Sequence, residues 1–315
     1  MFALRGIAVS LSVFVLVYAA LSLVVCMTWQ KVRHVAARRP AHSVADLFLA
    51  LRMFPLVTAV VITVAFTIPS FLLLEPRTID EPLGIAPLLL GSCGAGVVLA
   101  GGIHIVRAMW RVSRTVSAWT SRSEPILSRA PLRVLRIFRA IPPMTAIGIV
   151  RPRILVSSSA EFLLAERELR AAMNHEVEHV RRRDNLRKLL LQFVAFPGMR
   201  ALEAAWLEAT EMAADDAAVN NASEALDLAA ALIKLSRLPA EPGPDLSAAL
   251  VRSPGAIMNA RIERLLAWSD RRVSSSRALL PWYGAAVAAS SVAVLAVTYS
   301  YLLVRIHTAT EWFVR

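Results

Sequence analysis

The segment His175-Glu176-Val177-Glu178-His179 sets two imidazoles four residues apart, with a carboxylate beside the first. On a helix, side chains at that spacing share a face, with Cβ atoms roughly 5–6 Å apart. Two rings so placed can close on one metal ion, and an imidazole pair with an open coordination side suits zinc. Glu176 then reaches that open side, where a water would sit. The plainer alternative is an exposed charged turn in which Glu178 pairs with Arg181 or Arg182. The whole chain has only six His, so two of them bracketing a Glu in this way favours the metal.

A catalytic zinc takes three protein ligands and keeps a fourth position for water. The third must come from another element, and Glu211 is the expected one. It lies on the helix that follows Pro197-Gly198, where the chain can reverse. Asp215 lies four residues beyond Glu211, and Glu208 three before it, on the same side. With Glu211 on the metal, Asp215 can accept a hydrogen bond from the outer nitrogen of a zinc-bound His and fix its tautomer. The alternative is an acidic face that is merely solvated.

These side chains need elements to hold them. A long helix from Glu161 to about Phe196 is expected to carry both His. Leu169, Met173, Glu176 and Val180 share one of its faces, so the metal side continues an apolar stripe and should be buried. A second helical stretch, about Leu202 to Leu238, carries Glu211 and Asp215, and Ile257–Trp268 reads as an amphipathic helix. Ala146–Val150 and Arg153–Val156 read as two short strands about a turn. Ile154-Leu155-Val156, just before the active-site helix, is expected to be an edge strand that pairs with an extended substrate. Glu124–Arg139 fits either a strand or a surface helix, and Pro142-Pro143 breaks any helix there. Leu189–Phe196 is apolar but too short to span, and is either core or dips toward a membrane surface.

The chain is 57% hydrophobic over 315 residues, above the about 45–50% of an ordinary soluble domain. Four stretches free of Asp, Glu, Lys and Arg reach the roughly 20 residues of a bilayer crossing. They are Gly6–Gln30, Met53–Leu74, Pro82–Val106 and Ala278–Val304. The first exceeds the usual apolar core of a signal peptide and precedes no small-residue cleavage site, so a retained span is expected. Lys and Arg cluster between the first two spans and after the third, whereas the loop between the second and third is acidic. That asymmetry puts the N-terminus outside and residues 107–277 in the cytoplasm. Arg107, Arg111 and Arg114, at helical spacing, extend the third helix inward. The net charge of +12 lies beside the spans, where an anionic inner leaflet attracts it. No recognition motif supports direct nucleic-acid binding. Cys26 and Cys93 fall within spans and read as packing residues.

His175–His179 followed by Arg181-Arg182-Arg183-Asp184-Asn185, and later Glu211-Met212-Ala213-Ala214-Asp215-Asp216-Ala217-Ala218, resembles the BlaR/MecR-type membrane zinc metallopeptidases. Pro143, Gly148, Arg151-Pro152-Arg153-Ile154 and Arg261-Ile262-Glu263-Arg264 also fit that pattern, as does the order of spans. The resemblance implies a gluzincin-type site: His175, His179 and Glu211 on zinc, Glu176 as catalytic acid/base, and Asp215 behind a ligand. Two positions depart from the pattern. Ala214 stands where Cys is frequent, and Ala165 where a Ser or Thr helix cap is usual, which should cost about 1 kcal/mol of helix stability. The best-known relatives carry an extracellular sensor after the fourth span, whereas here only Arg305–Arg315 follows it.

The fold class expected is a mainly α membrane protein: four transmembrane helices with a cytoplasmic gluzincin-like α+β zinc peptidase domain between the third and fourth. The expected domains are a three-span region (1–106), the peptidase domain (107–277), the fourth span (278–304) and a short extracytoplasmic tail (305–315). The site is expected in a bacterial inner membrane, facing the cytoplasm. The expected activity is zinc-dependent endopeptidase cleavage, with zinc lowering the pKa of bound water to about 7 and Glu176 shuttling the proton to the leaving nitrogen. By analogy the partner is a protein or peptide substrate, a cytoplasmic repressor or the chain itself, in signal transduction. Two other readings are an HtpX-like quality-control protease, which shares the site residues, and a non-catalytic membrane scaffold that retains the motif.

Overall fold

The computed structural model describes residues 2–76, 84–121, 123–126, 132–138, 143–193, 196–238, 248–249, 255–270 and 298–311. It is mostly helical with one small mixed sheet. The chain divides into two units: residues 1–28, 53–100 and 273–315 form one, and residues 29–52 with 101–272 form the other.

Three described helices are long and apolar enough to cross a bilayer: Phe2–Ala36, Ala41–Leu74 and Ile85–Thr120. We label the first α1. The second is composite, with α2 (Ala41–Ile62), a π turn (Thr63–Thr67) and α3 (Ile68–Leu74). Pro69 explains the interruption. It lacks the N–H that would bond to the Ala65 carbonyl, and its ring crowds that oxygen. The Tyr299 hydroxyl donates to the freed Ala65 oxygen at 2.7 Å. The third is α4 (Ile85–Thr120), which approaches α1 at two glycines. A Cβ at Gly91 would lie 2.8 Å from the Ala8 oxygen, and one at Gly94 2.5 Å from the Leu11 oxygen. Small residues let backbones meet in this way where lipid offers no hydrophobic drive. The expected fourth span, 278–304, lies outside the described residues except for its end, and 298–311 are helical.

In the second unit, α4 continues past the apolar run to Thr120, as its arginine spacing predicts. Its Trp119 packs on Ile137, Ile147 and Leu155. Within Glu124–Arg139 the described residues form strands rather than a helix: β1 (Ser123–Ile126) and β2 (Val134–Ile137). β3 (Met144–Ile147) and β4 (Arg153–Ser157) pair antiparallel across the expected turn. Gly148 sits in that turn at φ +89°, where a side chain would also meet the Arg151 oxygen. With β5 (Ala248–Ala249), the sheet order is β1-β2-β4-β3-β5, and only the β2–β4 pair is parallel.

This order overturns the edge-strand expectation for Ile154-Leu155-Val156. β4 is hydrogen-bonded on both sides, by β2 and β3. Ile154 and Val156 enter one core and Leu155 another, so the continuous apolar run reflects burial on two faces.

The single long helix expected from Glu161 is three: α5 (Ser158–Leu163), α6 (Glu166–Arg181) and α7 (Asp184–Leu191). Leu164 is extended between the first two, and Arg183 adopts a left-handed conformation, φ +55°, between the last two. Ala165 caps α6 with no side-chain bond. Glu168 supplies half of a capping box by accepting the Ala165 N–H at 2.8 Å. Leu189 of α7 packs against Ala108 of α4, which makes it core.

The second stretch likewise splits, into α8 (Arg200–Ala218) and α9 (Ala222–Ser236). Asn221 caps α9 by accepting the Glu224 N–H at 2.9 Å. α10 (Gly255–Leu266) follows. The main core lies between α6, α9, α10 and one face of the sheet.

Candidate metal centre

α6 turns two different faces outward and inward. On its outer side Arg181 pairs with Glu178 at 3.3 Å in the solvated turn of the plainer reading. On its inner side His175, Glu176 and His179 are buried at 0%, 0% and 2% exposure. The ion pair of the plainer reading thus lies on one side of the helix, and the two His with Glu176 lie buried on the other.

α8 packs its own apolar face, Leu202, Trp206, Ala209 and Ala213, into the same unit. It delivers Glu211 and Asp215 from successive turns. The two ring Nε2 atoms stand 3.1 Å apart. Glu211 Oε1 lies 3.5 Å from His179 Nε2, and Oε2 lies 3.5 Å from His175 Nε2. The potential ligand atoms of His175, His179 and Glu211 all fall within 4.8 Å of one another.

Each outer ring nitrogen faces a carboxylate. His175 Nδ1 is 2.8 Å from Asp215 Oδ1, and His179 Nδ1 is 2.7 Å from Asp184 Oδ2. Carboxylates only accept, so each Nδ1 carries a proton, and the neutral ring, the form that binds a metal, presents its lone pair at Nε2. Two imidazole lone pairs and the Glu211 oxygens then converge on one point. Glu176 Oε1 is buried with no hydrogen-bond donor among the described residues, and Glu211 Oε2 has Arg261 Nη1 of α10 at 3.1 Å. Such a donor set fits a divalent cation, with two imidazoles and one carboxylate as the protein ligands.

Electrostatics point the same way. Burial alone would depress both histidines. Glu211 and the Asp184 hydrogen bond instead raise His179 to about 10, and Asp215 and Glu211 raise His175. Burial likewise opposes the charged form of the two α8 carboxylates. His179 and Arg261 nonetheless hold Glu211 well below the usual range, and Arg261 lowers Asp215 to about 2. A pocket that strengthens two adjacent rings as proton acceptors has room for more positive charge.

Residues 130–265 match the family model described as BlaR1 peptidase M56. That match supports a BlaR/MecR-type membrane metallopeptidase. No curated protein matches it. The M56 segment runs from just before β2 to the end of α10, so it contains the three convergent ligands and every carboxylate that faces them.

Several contacts of the M56 site have no counterpart in the sequence reading. Glu176 Oε2 accepts the backbone N–H of Ala146 on β3 at 2.6 Å. Burial outweighs this bond and the neighbouring rings and raises the Glu176 pKa. Asn185 donates to the Ala146 and Gly148 oxygens, both at 3.2 Å, tying α7 to the strand that holds Glu176. Asp184 lies five residues after His179, off the helical repeat, and reaches the ring only because Arg183 turns the chain. Arg261 comes from α10 and bridges Asp215 and Glu211. The signals for Asp184, Asn185 and Arg261 were the motifs that contain them, which carried no role.

Among the described residues one further trio, Glu75, His307 and Glu311, also brings possible ligand atoms within 4.8 Å. There Glu75 is already paired with Arg5 at 3.0 Å. That guanidinium competes with any metal ion.

Proposed function

We propose that this chain is a membrane-embedded zinc endopeptidase of the gluzincin type. His175, His179 and Glu211 are the metal ligands, Glu176 is the catalytic acid/base, and Asp215 and Asp184 orient the two rings. The observation that carries the reading is the convergence of imidazole lone pairs and a carboxylate on one point, with both outer nitrogens engaged by acceptors. When bound, zinc supplies Lewis acidity toward a peptide carbonyl and acidifies water.

The chain's own residues do the rest. The Ala146 N–H fixes one oxygen of Glu176, and the other, with no donor of its own, is free to take a proton from water. Burial raises the proton affinity of Glu176, which suits a base that must later return the proton to the leaving nitrogen. Asp215 and Asp184 keep both rings in the tautomer that presents Nε2.

Four spans, with the N-terminus outside and the site in the cytoplasm, satisfy the distribution of Lys and Arg. The M56 match supports a regulatory substrate, a cytoplasmic repressor or a second site in this chain, over general protein turnover. New cytoplasmic N-termini compared between cells carrying active and Glu176→Gln protein test this. Termini confined to one regulator or to this chain support the regulatory role. Termini spread over many damaged membrane proteins refute it, and identical termini in both cells refute the endopeptidase.

A further inference from the structure

The segment Arg261-Ile262-Glu263-Arg264 turns two arginines of α10 toward α8, and they meet different partners. Arg264 pairs with Asp216 at the partly exposed margin of the contact. Arg261 is wholly buried. Its Nε and Nη2 each donate to one oxygen of Asp215 at 2.7 Å, and its Nη1 lies 3.1 Å from Glu211 Oε2. One planar fork of donors is thus divided between the carboxylate behind His175 and the carboxylate facing both Nε2 atoms. Lysine, a single ammonium point, cannot reproduce that division.

Resting on the metallopeptidase reading above, we propose that Arg261 is a positioning residue of the metal centre. It engages one oxygen of Glu211 so that Oε1 is presented to the metal, and it pins Asp215 against His175. Without the guanidinium, Glu211 is free to rotate and offer both oxygens. Asp215 loses two charge-assisted bonds and can leave the ring whose tautomer it sets. Arg264 holds the same two helices together without touching a ligand, which separates packing from positioning.

The test uses the full chain in detergent, loaded with Co²⁺, whose visible absorption reports coordination number and ligand geometry. Arg261→Met, Arg261→Lys and Arg264→Met are compared with the unaltered chain for spectrum, Co²⁺ affinity by chelator competition, and melting temperature. Arg264→Met should melt lower with an unchanged spectrum and affinity. Both Arg261 variants should show altered bands and about 10–100-fold weaker binding, with Lys failing to restore them. Where Met does not yield folded protein, the Lys variant decides. An unaltered spectrum and affinity in either folded Arg261 variant overturns the proposal and makes Arg261 a packing residue. If the unaltered chain binds no Co²⁺, or binds it equally after His179→Ala, the metallopeptidase reading itself fails, and this inference with it.

Discussion

Glu176 is a buried carboxylate with one oxygen donated to by Ala146 and the other without a donor. Burial raises its pKa, so the folded chain holds this proton more tightly than the unfolded one. Its contribution to stability therefore falls as pH rises from the unfolded value, about 4.3, toward the raised folded value. Glu176→Gln removes that loss. In chelator-treated protein the variant should melt above the unaltered chain, with a gap that widens as pH rises through this window. A constant gap in melts across pH contradicts the assignment of burial as cause. The same variant should lose catalysis by at least about 100-fold while keeping its metal. Asp184 gives a second prediction. Asp184→Ala leaves His179 Nδ1 without its acceptor and should weaken metal affinity about 10–100-fold in chelator competition. Chemistry written within one helical turn, as in His175–His179, could be read directly from the sequence. Asp184 and Ala146 could not, because one depends on a backbone torsion and the other contributes only a main-chain N–H.

Helix boundaries in the second unit depend on torsions that few residue types announce. Between α6 and α7 no Gly or Pro marks the break, and apolar periodicity runs on through it. Arg183 makes the turn at φ +55°, where a side chain costs roughly 1–2 kcal/mol. Its side chain is exposed, so Arg183→Gly should stabilise the chain by about 0.5–1 kcal/mol, whereas Arg183→Val should destabilise it. Thermal melts of the two variants check the sign. The break also aims Asp184 at His179, so neither variant should leave metal affinity higher than in the unaltered chain. The misread edge strand has a related origin. An apolar run such as Ile154-Leu155-Val156 fits any buried strand, and only the pairing order puts β4 inside the sheet with β3 between it and β5. Where a strong local signal existed, as at Pro197-Gly198 before α8 or the arginines along α4, the element followed it.

Across the whole molecule, uncharged runs and their flanking arginines give three candidate membrane helices, and spacing alone gives the His pair. The partner helix of that pair needed a chain reversal to be inferred, and the arginine of α10 lies 46 residues beyond Asp215, past any local pattern. The proposed orientation has a direct check. In a Cys26→Ser, Cys93→Ser background, Pro76→Cys should react with a membrane-impermeant maleimide in intact cells. Ser121→Cys should react only after permeabilisation, and the reverse pattern would place the site outside.

The central claim is that two imidazoles and the Glu211 carboxylate hold one zinc ion. Zinc K-edge X-ray absorption on the purified full chain tests it most directly. The account predicts one zinc per chain with two imidazole nitrogens at about 2.0–2.1 Å and oxygen ligands at about 2.0–2.2 Å, and loss of this signature in both His179→Ala and Glu211→Ala. Zinc-free protein, or a spectrum unchanged by either substitution, would contradict it.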